Sequence, residues 1–254
     1  NRFRLFHRMH SMKQSKPVIY AIIPARSDSK GISNKNIKQI CGIPLIGFSI
    51  ACAKSLDIDK IICSTDSHEY AKIAIKYGAE VPFLRSSKAS SDTAMEQDIL
   101  FDLYTNFETH GIKQPDYIIW LRPTFVFRDL SLIKDCIYKL EKDKTLTSAR
   151  IISKTECRLY NLKNNLLTPD FNDDGLSMIR RQDIGNKYKV YSTDIIRSND
   201  KNYSNDFLGR KIYAKESNKI CGLDIDDNID FEIVQTLIKY RQDLVGKYME
   251  ISCE

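Results

Sequence analysis

Three groups of polar residues have types and spacings suited to chemistry on a phosphate. The first is a loop running from Arg26 through Ser27, Asp28, Ser29, Lys30, Gly31, Ser33, Asn34 and Lys35 to Asn36. Backbone N–H groups around Gly31, together with Arg26, Lys30 and Lys35, suit the charge of a polyphosphate. The second is Asp224 and Asp226. Residues two apart on a strand share a face, and two like charges held together without a cation are costly. Mg²⁺, bound by few carboxylates plus substrate phosphates, is their natural partner. The third is Arg85 with Ser91, Asp92 and Thr93. Each group also has an ordinary explanation. A basic loop is usually solvated, one aspartate of a pair often caps a helix, and Asp92 with Glu96 stabilises a helix start whatever the function. Neither G-x-x-x-x-G-K-[ST] nor G-x-G-x-x-G is present.

The elements that must position these groups follow from hydrophobic pattern. Val18–Ile23 is a continuous apolar run rich in β-branched residues and ended by Pro24. Such a run reads as a strand buried on both faces. Loops leaving the C-terminal ends of such strands are where open α/β sheets place ligands. Ile46 to Leu56 has helical spacing, and Ile61–Cys63 reads as a second buried strand ending in Ser64-Thr65-Asp66-Ser67. Ser67 suits an N-cap, with Tyr70, Ile73, Ala74 and Tyr77 inward and Gly78 stopping the helix. Residues 79–84 form a third extended segment. A helix follows over 94–107, with Met95, Ile99, Leu103 and Phe107 as its apolar stripe. Tyr117–Leu121 is a fourth strand delivering Arg122-Pro-Thr124, and a helix spans 130–140. Residues 146–152 add a strand, and 220–226 another that carries the two aspartates. The final helix spans 229–241, with Ile229, Ile233, Leu237 and Tyr240 inward. Strands alternating with helices at this spacing predict βαβ units and a mostly parallel sheet. Asn- and Asp-rich turns with short alternating segments mark 153–215 as an excursion of hairpins.

The string PARSDSKGISNKN, residues 24–36, closely resembles the N-terminal signature of the sugar-acid cytidylyltransferases, above all the CMP-N-acylneuraminate synthetases, whose pattern is roughly PAR-x-x-SKG-x-x-x-KN. Ser64-Thr65-Asp66 matches that family's STD, and 84–93 its LRP-x-x-x-x-x-DT. Arg180-Arg181-Gln182 matches its RRQ, and Asp224-Ile225-Asp226 its DID before the last helix. The resemblance spans about 17–240 and implies a three-layer, Rossmann-like nucleotidyltransferase fold acting as a homodimer through the 153–215 excursion. It implies CTP contacts from Arg26, Ser29, Lys30, Lys35, Asn36, Arg85, Asp92 and Thr93. It also implies Mg²⁺ on Asp224 and Asp226, with those two aspartates, Arg26 and Lys30 at the catalytic step, and a sugar site reached by Arg122, Thr124, Arg181 and Gln182. The implied reaction is attack of a sugar acid on CTP. No side chain declares itself as general base.

The chain departs from the family's LQPTSPLR with Leu121-Arg-Pro-Thr-Phe-Val-Phe-Arg128, and from its NGA-x-YI with Ser192-Thr193-Asp194-Ile195-Ile196. The nucleotide and metal ends are therefore kept while the sugar end differs, which points to another nonulosonic or octulosonic acid. Arg122 could fork onto the sugar carboxylate or form an ion pair inside the fold. Transfer from another nucleotide remains open, as does a non-catalytic nucleotide-binding role.

Composition bounds the rest. Of 254 residues 42% are hydrophobic and 28% charged, enough for a packed core. The net charge is +6, but Arg2, Arg4, Arg8 and Lys13 lie in the first thirteen residues, and without them only +2 remains. That balance, without a basic and aromatic stripe, disfavours nucleic acid as a partner. Residues 1–15 are set aside as a tail with too short an apolar part for a signal peptide, leaving 16–254 as one domain. No apolar run approaches the ~20 residues of a membrane span. Seven scattered cysteines without a C-x-x-C pair predict reduced, inert thiols and a cytoplasmic protein.

Overall fold

The computed structural model describes residues 16–27, 31–172, 179–198 and 206–253. Its strands are β1 Ile19–Pro24, β2 Gln39–Ile40, β3 Ile43–Pro44, β4 Lys60–Ser64, β5 Tyr117–Trp120, β6 Ser148–Lys154, β7 Tyr160–Lys163, β8 Leu166–Pro169, β9 Tyr188–Arg197 and β10 Ile212–Ser217. Its α-helices are α1 Leu45–Lys54, α2 His68–Tyr77, α3 Ser87–Ser90, α4 Glu96–Thr109, α5 Leu130–Lys142, α6 Arg181–Ile184 and α7 Asn228–Tyr240. Six strands form the central sheet in the order β10-β6-β9-β5-β1-β4. The β1–β4, β1–β5 and β10–β6 pairs are parallel, and β9 runs antiparallel to both β5 and β6.

The three layers follow from the alternation of side chains along β1. Ile19, Ala21 and Ile23 point into a large core shared with α1, α5 and α7, whereas Tyr20 and Ile22 point into a second core with Leu100, Leu103 and Phe107 of α4. Both faces of the strand are thus buried, as its unbroken apolar run requires. Local signals set the helix ends. Ser67 Oγ accepts the Tyr70 N–H, and Gly78 ends α2 at φ 100°. Asp227 caps α7 by accepting the Asp230 N–H, while the Asp230 carboxylate accepts the Asp227 N–H. This reciprocal pair is a capping box.

Several expectations are corrected. Residues 220–226 are not a strand: Lys219–Gly222 is a 3₁₀ turn, and the Ile225 N–H then donates to the Thr124 carbonyl rather than to a sheet neighbour. Residues 79–84 contribute a single bridge, Ile62 to Glu80. Helix α7 buries Phe231, Val234 and Ile238 and leaves Ile229, Ile233 and Tyr240 exposed. Two apolar stripes compete on that helix, and the one carrying the phenylalanine packs inward, with Lys38 lying over the Phe231 ring. Met95 precedes α4 as its N-cap residue and is exposed, so the buried stripe there is Ile99, Leu100, Leu103 and Phe107. Among the described strands of 153–215, β7 and β8 alone leave the main sheet, because β9 and β10 both return to it. Not all thiols are free: Cys41 and Cys253 form a disulfide across a sequence separation of 212, while Cys52, Cys63, Cys136, Cys157 and Cys221 are free and buried.

Candidate active site

An open cavity of about 860 Å³ lies over the C-terminal ends of β1 and β5, bordered at one end by Gly31 and Lys35 and at the other by Arg150 and Tyr191. The buried parallel strands deliver loops there, as the sequence pattern requires.

At the Gly31 end, the first loop meets the aspartate segment across 190 residues of sequence. Lys35 Nζ donates to the Ile225 carbonyl at 2.8 Å and lies 3.7 Å from Asp226 Oδ1. Gly31 packs so closely that an added Cβ would stand 2.3 Å from the Asp226 carbonyl oxygen. Asn36 is buried and donates to the Arg26 carbonyl at 3.0 Å, bracing the loop from beneath. Asp66 accepts from both the backbone N–H and the hydroxyl of Ser27, at 2.9 and 3.0 Å. Ser64 holds Arg85 through its hydroxyl at 3.1 Å and its carbonyl at 2.6 Å. The STD segment therefore anchors the loops, beyond the role of a turn. Arg85 is buried against the cavity, and desolvation lowers its pKa to about 10, opposed by Asp66.

Asp224 and Asp226 differ in setting. Asp226 is exposed and borders the cavity. Asp224 is mostly buried, takes a hydrogen bond from the Thr124 side chain, and has Lys189 Nζ 4.0 Å from one oxygen. Its Oδ1 is buried without a hydrogen-bond partner among the described residues. Burial, with the neighbouring Asp226 charge adding to it, raises the Asp224 carboxyl above its ordinary value. An orphaned carboxylate oxygen beside a second carboxylate fits a hard divalent cation that takes its remaining ligands from phosphate and water. Among the described residues no cluster of three or more His, Cys, Asp or Glu could hold a metal.

Arg26 donates to the Ser91 carbonyl and to Asp92 Oδ1, both at 3.2 Å. Thr93 lies on the exposed turn beyond, its hydroxyl 3.4 Å from Ser91 Oγ. Ser29 and Lys30 lie outside the described residues. Arg181 and Gln182 sit on the exposed four-residue α6, where Arg181 donates to the Thr155 carbonyl, and neither borders the cavity.

The opposite end holds residues that the sequence reading missed. Arg122 reaches the cavity, but Glu96 and Asp194 occupy its fork. Arg150 from β6 grips the same Asp194 at 2.6 and 3.2 Å. Asp194 is fully buried and Glu96 lies in the first turn of α4. Burial works to lower the Arg122 pKa, and the pull of Asp194 and Glu96 overcomes it, leaving the group raised. The ion pair inside the fold is thus the arrangement Arg122 adopts. Phe125 and Val126, which replace the family's Ser-Pro, and Phe127 after them are core side chains. The one sequence signal for this network was the pair of departures at 122 and 194.

Residues 20–249 match the family described as Cytidylyltransferase. The N-acylneuraminate cytidylyltransferase of Escherichia coli O18:K1:H7 is 30% identical over 226 residues, covering 86% of this chain and 52% of that protein, so the chain spans about half its length. The CMP-N,N'-diacetyllegionaminic acid synthase of Legionella pneumophila is 29% identical, covering 89% of this chain and 98% of that one. Post-translational flagellin modification protein B of Campylobacter coli is 32% identical, covering 87% and 95%. In three dimensions, a CMP:2-keto-3-deoxy-manno-octonic acid synthetase structure with CTP superposes with a TM-score of 0.64 at 16% identity, over 87% of this chain and 98% of that one. At that identity the likeness concerns the fold.

Proposed function

The chain belongs to the cytidylyltransferase family, and from that premise we propose that it activates an acidic sugar with CTP, giving the CMP-sugar and pyrophosphate. The oxygen of the anomeric hydroxyl forms a bond to the α-phosphorus and gives up its proton to water as the bond to the bridging α–β oxygen breaks, and pyrophosphate leaves. Positioning and charge stabilisation dominate such transfers. The observation that carries the reading is the junction at the Gly31 end, where Lys35 and the glycine seat the first loop on residues 225–226 beside the orphaned Asp224 oxygen.

In this reading Gly31 lets the first loop close onto the Asp226 backbone, and Lys35 and Arg26 offset the phosphate charge. Lys30 and Ser29 take the same role by resemblance. Asp224 and Asp226 would hold Mg²⁺, which when bound stabilises negative charge on phosphate oxygens. Arg85 and Asp92 border the nucleotide.

Acting as a homodimer is part of the proposal. It is supported by the β7–β8 hairpin, which exposes Leu162, Leu166 and Leu167 at 66–71%. Such a patch marks a contact surface, and a second copy of the chain is the partner proposed. A cytoplasmic setting is supported by five buried free thiols and opposed by the Cys41–Cys253 bridge. Counting free thiols in protein alkylated at lysis decides it. No helix among the described residues is long and apolar enough to cross a membrane.

The test is pyrophosphate release from each nucleoside triphosphate with Mg²⁺ against a panel of nonulosonic and octulosonic acids. Release is expected with CTP and one sugar class, and Asp226→Ala should reduce it at least about 100-fold. Equal release from other triphosphates, or none with any sugar acid, would sink the reading.

A further inference from the structure

Four charged side chains from four separate elements meet at the Tyr191 end: Glu96 of α4, Arg122 after β5, Arg150 of β6 and Asp194 of β9. Two guanidinium groups face two carboxylates, so the cluster is neutral. The two arginines are nevertheless used differently. Arg122 donates from Nε and Nη2 to Glu96, and from Nη1 to Asp194 at 2.9 Å and the Tyr191 carbonyl at 2.6 Å. Each of its three nitrogens is engaged. Arg150 closes only its Nε–Nη2 edge on Asp194. Its Nη1 donates no hydrogen bond among the described residues, and the side chain borders the cavity. A guanidinium has two forks that share one nitrogen. In Arg150 one fork is anchored on a buried carboxylate and the other is open among the described residues.

Tyr191 holds this arrangement from above. It lies within β9 at φ 83°, the left-handed region, where the β6–β9 register shifts between Ile151 and Ser153. A non-glycine residue there is strained, and strain of this kind clusters at functional sites. A bulge re-aims a side chain, and here the tyrosine ring stands 5.0 Å from the guanidinium carbons of both arginines while remaining half-exposed on the cavity wall.

Building on the functional reading above, we infer that Arg150, through its open fork, receives the carboxylate of the sugar acid, and that Tyr191 is the aromatic wall against which that sugar's ring or acyl group packs. Arg122 then acts as a positioning residue, because it shares Asp194 with Arg150 and fixes the Tyr191 backbone. A fork locked on one side by a buried acid is pre-organised for a second carboxylate on the other.

The experiment uses the full chain, CTP, Mg²⁺, the sugar acid that supports pyrophosphate release, and the methyl ester of that acid. Wild type should prefer acid to ester by roughly 100-fold in kcat/KM. Arg150→Lys keeps a cation near Asp194 but has no fork, so the sugar KM should rise at least about 10-fold and the acid preference should collapse, with KM for CTP within about twofold of wild type. Tyr191→Ala should raise the sugar KM without lowering Tm, since it removes no core packing, and Tyr191→Phe should behave as wild type. Tyr191→Gly, which relieves the left-handed φ, should raise Tm while weakening the sugar. CTP-induced melting shifts report that each variant is folded. An Arg150→Lys enzyme that keeps the acid preference overturns the assignment, as does a Tyr191→Ala enzyme with unchanged sugar KM. Wild type that releases no pyrophosphate with any sugar acid refutes the functional reading itself, an outcome distinct from either variant result.

Discussion

At the Gly31 end of the cavity side chains mostly bond to backbone, and at the Tyr191 end they bond mostly to one another. Lys35, Asn36 and Arg85 donate to the carbonyls of Ile225, Arg26 and Ser64, and Asp66 accepts from the Ser27 N–H. A backbone carbonyl is there whatever residue carries it, so this half can keep its shape while surrounding residues change. At the other end Glu96, Arg122, Arg150 and Asp194 satisfy each other's charges. Removing any one strands the rest in a poorly solvated place. One half is a frame braced on backbone. The other is a charge network that must change as a unit, and it holds the two positions, 122 and 194, at which the chain departs from the family motifs it resembles.

The largest effect should come from breaking the network at its centre. Asp194 is fully buried and serves two arginines. Asp194→Ala should cost about 3–5 kcal/mol, the usual penalty for removing one partner of a buried charge group, read as a lower urea midpoint. The protein that remains folded should still show a melting shift with CTP, because the Gly31 end does not use Asp194. A loss under about 1 kcal/mol would mean that the charges at this end are solvated and the contrast is false.

The disulfide tests the framing of the first half. Cys253 ties the C-terminal segment to Cys41, which sits just after the loop that carries Lys35 and Asn36. Val245 and Tyr248 of that segment are buried. Cys253→Ser, or reduction, should lower stability by about 2–4 kcal/mol through the unfolded chain's regained freedom. Reductant should have no further effect on the variant. If reductant left the wild-type midpoint unchanged, the bridge would not exist in the folded protein.

How much of this could be read beforehand depended on which half was involved. The Gly31 end was legible because its residues sit in short strings, 24–36, 64–66 and 224–226, whose spacing is local. The pairing of Asp224 with Asp226 was read from a strand that is not there. The two still share a site because the Ile225 N–H is held by Thr124, with Lys35 on the Ile225 carbonyl. The Tyr191 end was legible only in its departures at 122 and 194, because its members lie at 96, 122, 150, 191 and 194, and only the β6–β9–β5 order brings them together. No periodicity encodes an antiparallel β9 inserted between β5 and β6. The stripe on α7 failed for a related reason: two apolar faces were available, and burial of Phe231 decided between them.

A smaller and more selective effect is expected at Gly31. A methyl group there would stand 2.3 Å from the Asp226 carbonyl oxygen, a backbone atom with little room to retreat. Gly31→Ala should move the loop by a fraction of an ångström to an ångström and lower kcat/KM by about 100-fold. Stability should change by about 1 kcal/mol or less, and the preference between sugar acid and ester should stay intact. If the variant lost that preference as well, the two ends would be mechanically coupled and the division between them would have to be abandoned.

The smallest effect is one of pH and metal, and it isolates Asp224. Its carboxyl is raised in the folded protein, first by burial and then by Asp226. A raised folded value means a contribution to stability that is fully present below the unfolded value of about 3.9 and lost as pH rises through the folded one. At neutral pH the ionised, partly orphaned carboxylate therefore opposes folding, and Asp224→Asn should raise the metal-free stability by roughly 1 kcal/mol while abolishing pyrophosphate release. A divalent cation needs the ionised form. The rise in Tm that Mg²⁺ gives wild type should thus be largest near pH 7, shrink as pH falls towards about 4, and be absent from Asp224→Asn at every pH. Ca²⁺, which also takes oxygen ligands, should shift Tm without supporting turnover to the same extent. A Mg²⁺ shift that persists unchanged in Asp224→Asn would place the cation on nucleotide phosphates alone. The orphaned oxygen would then be a cost of the fold, and the Gly31 end a frame without a metal of its own.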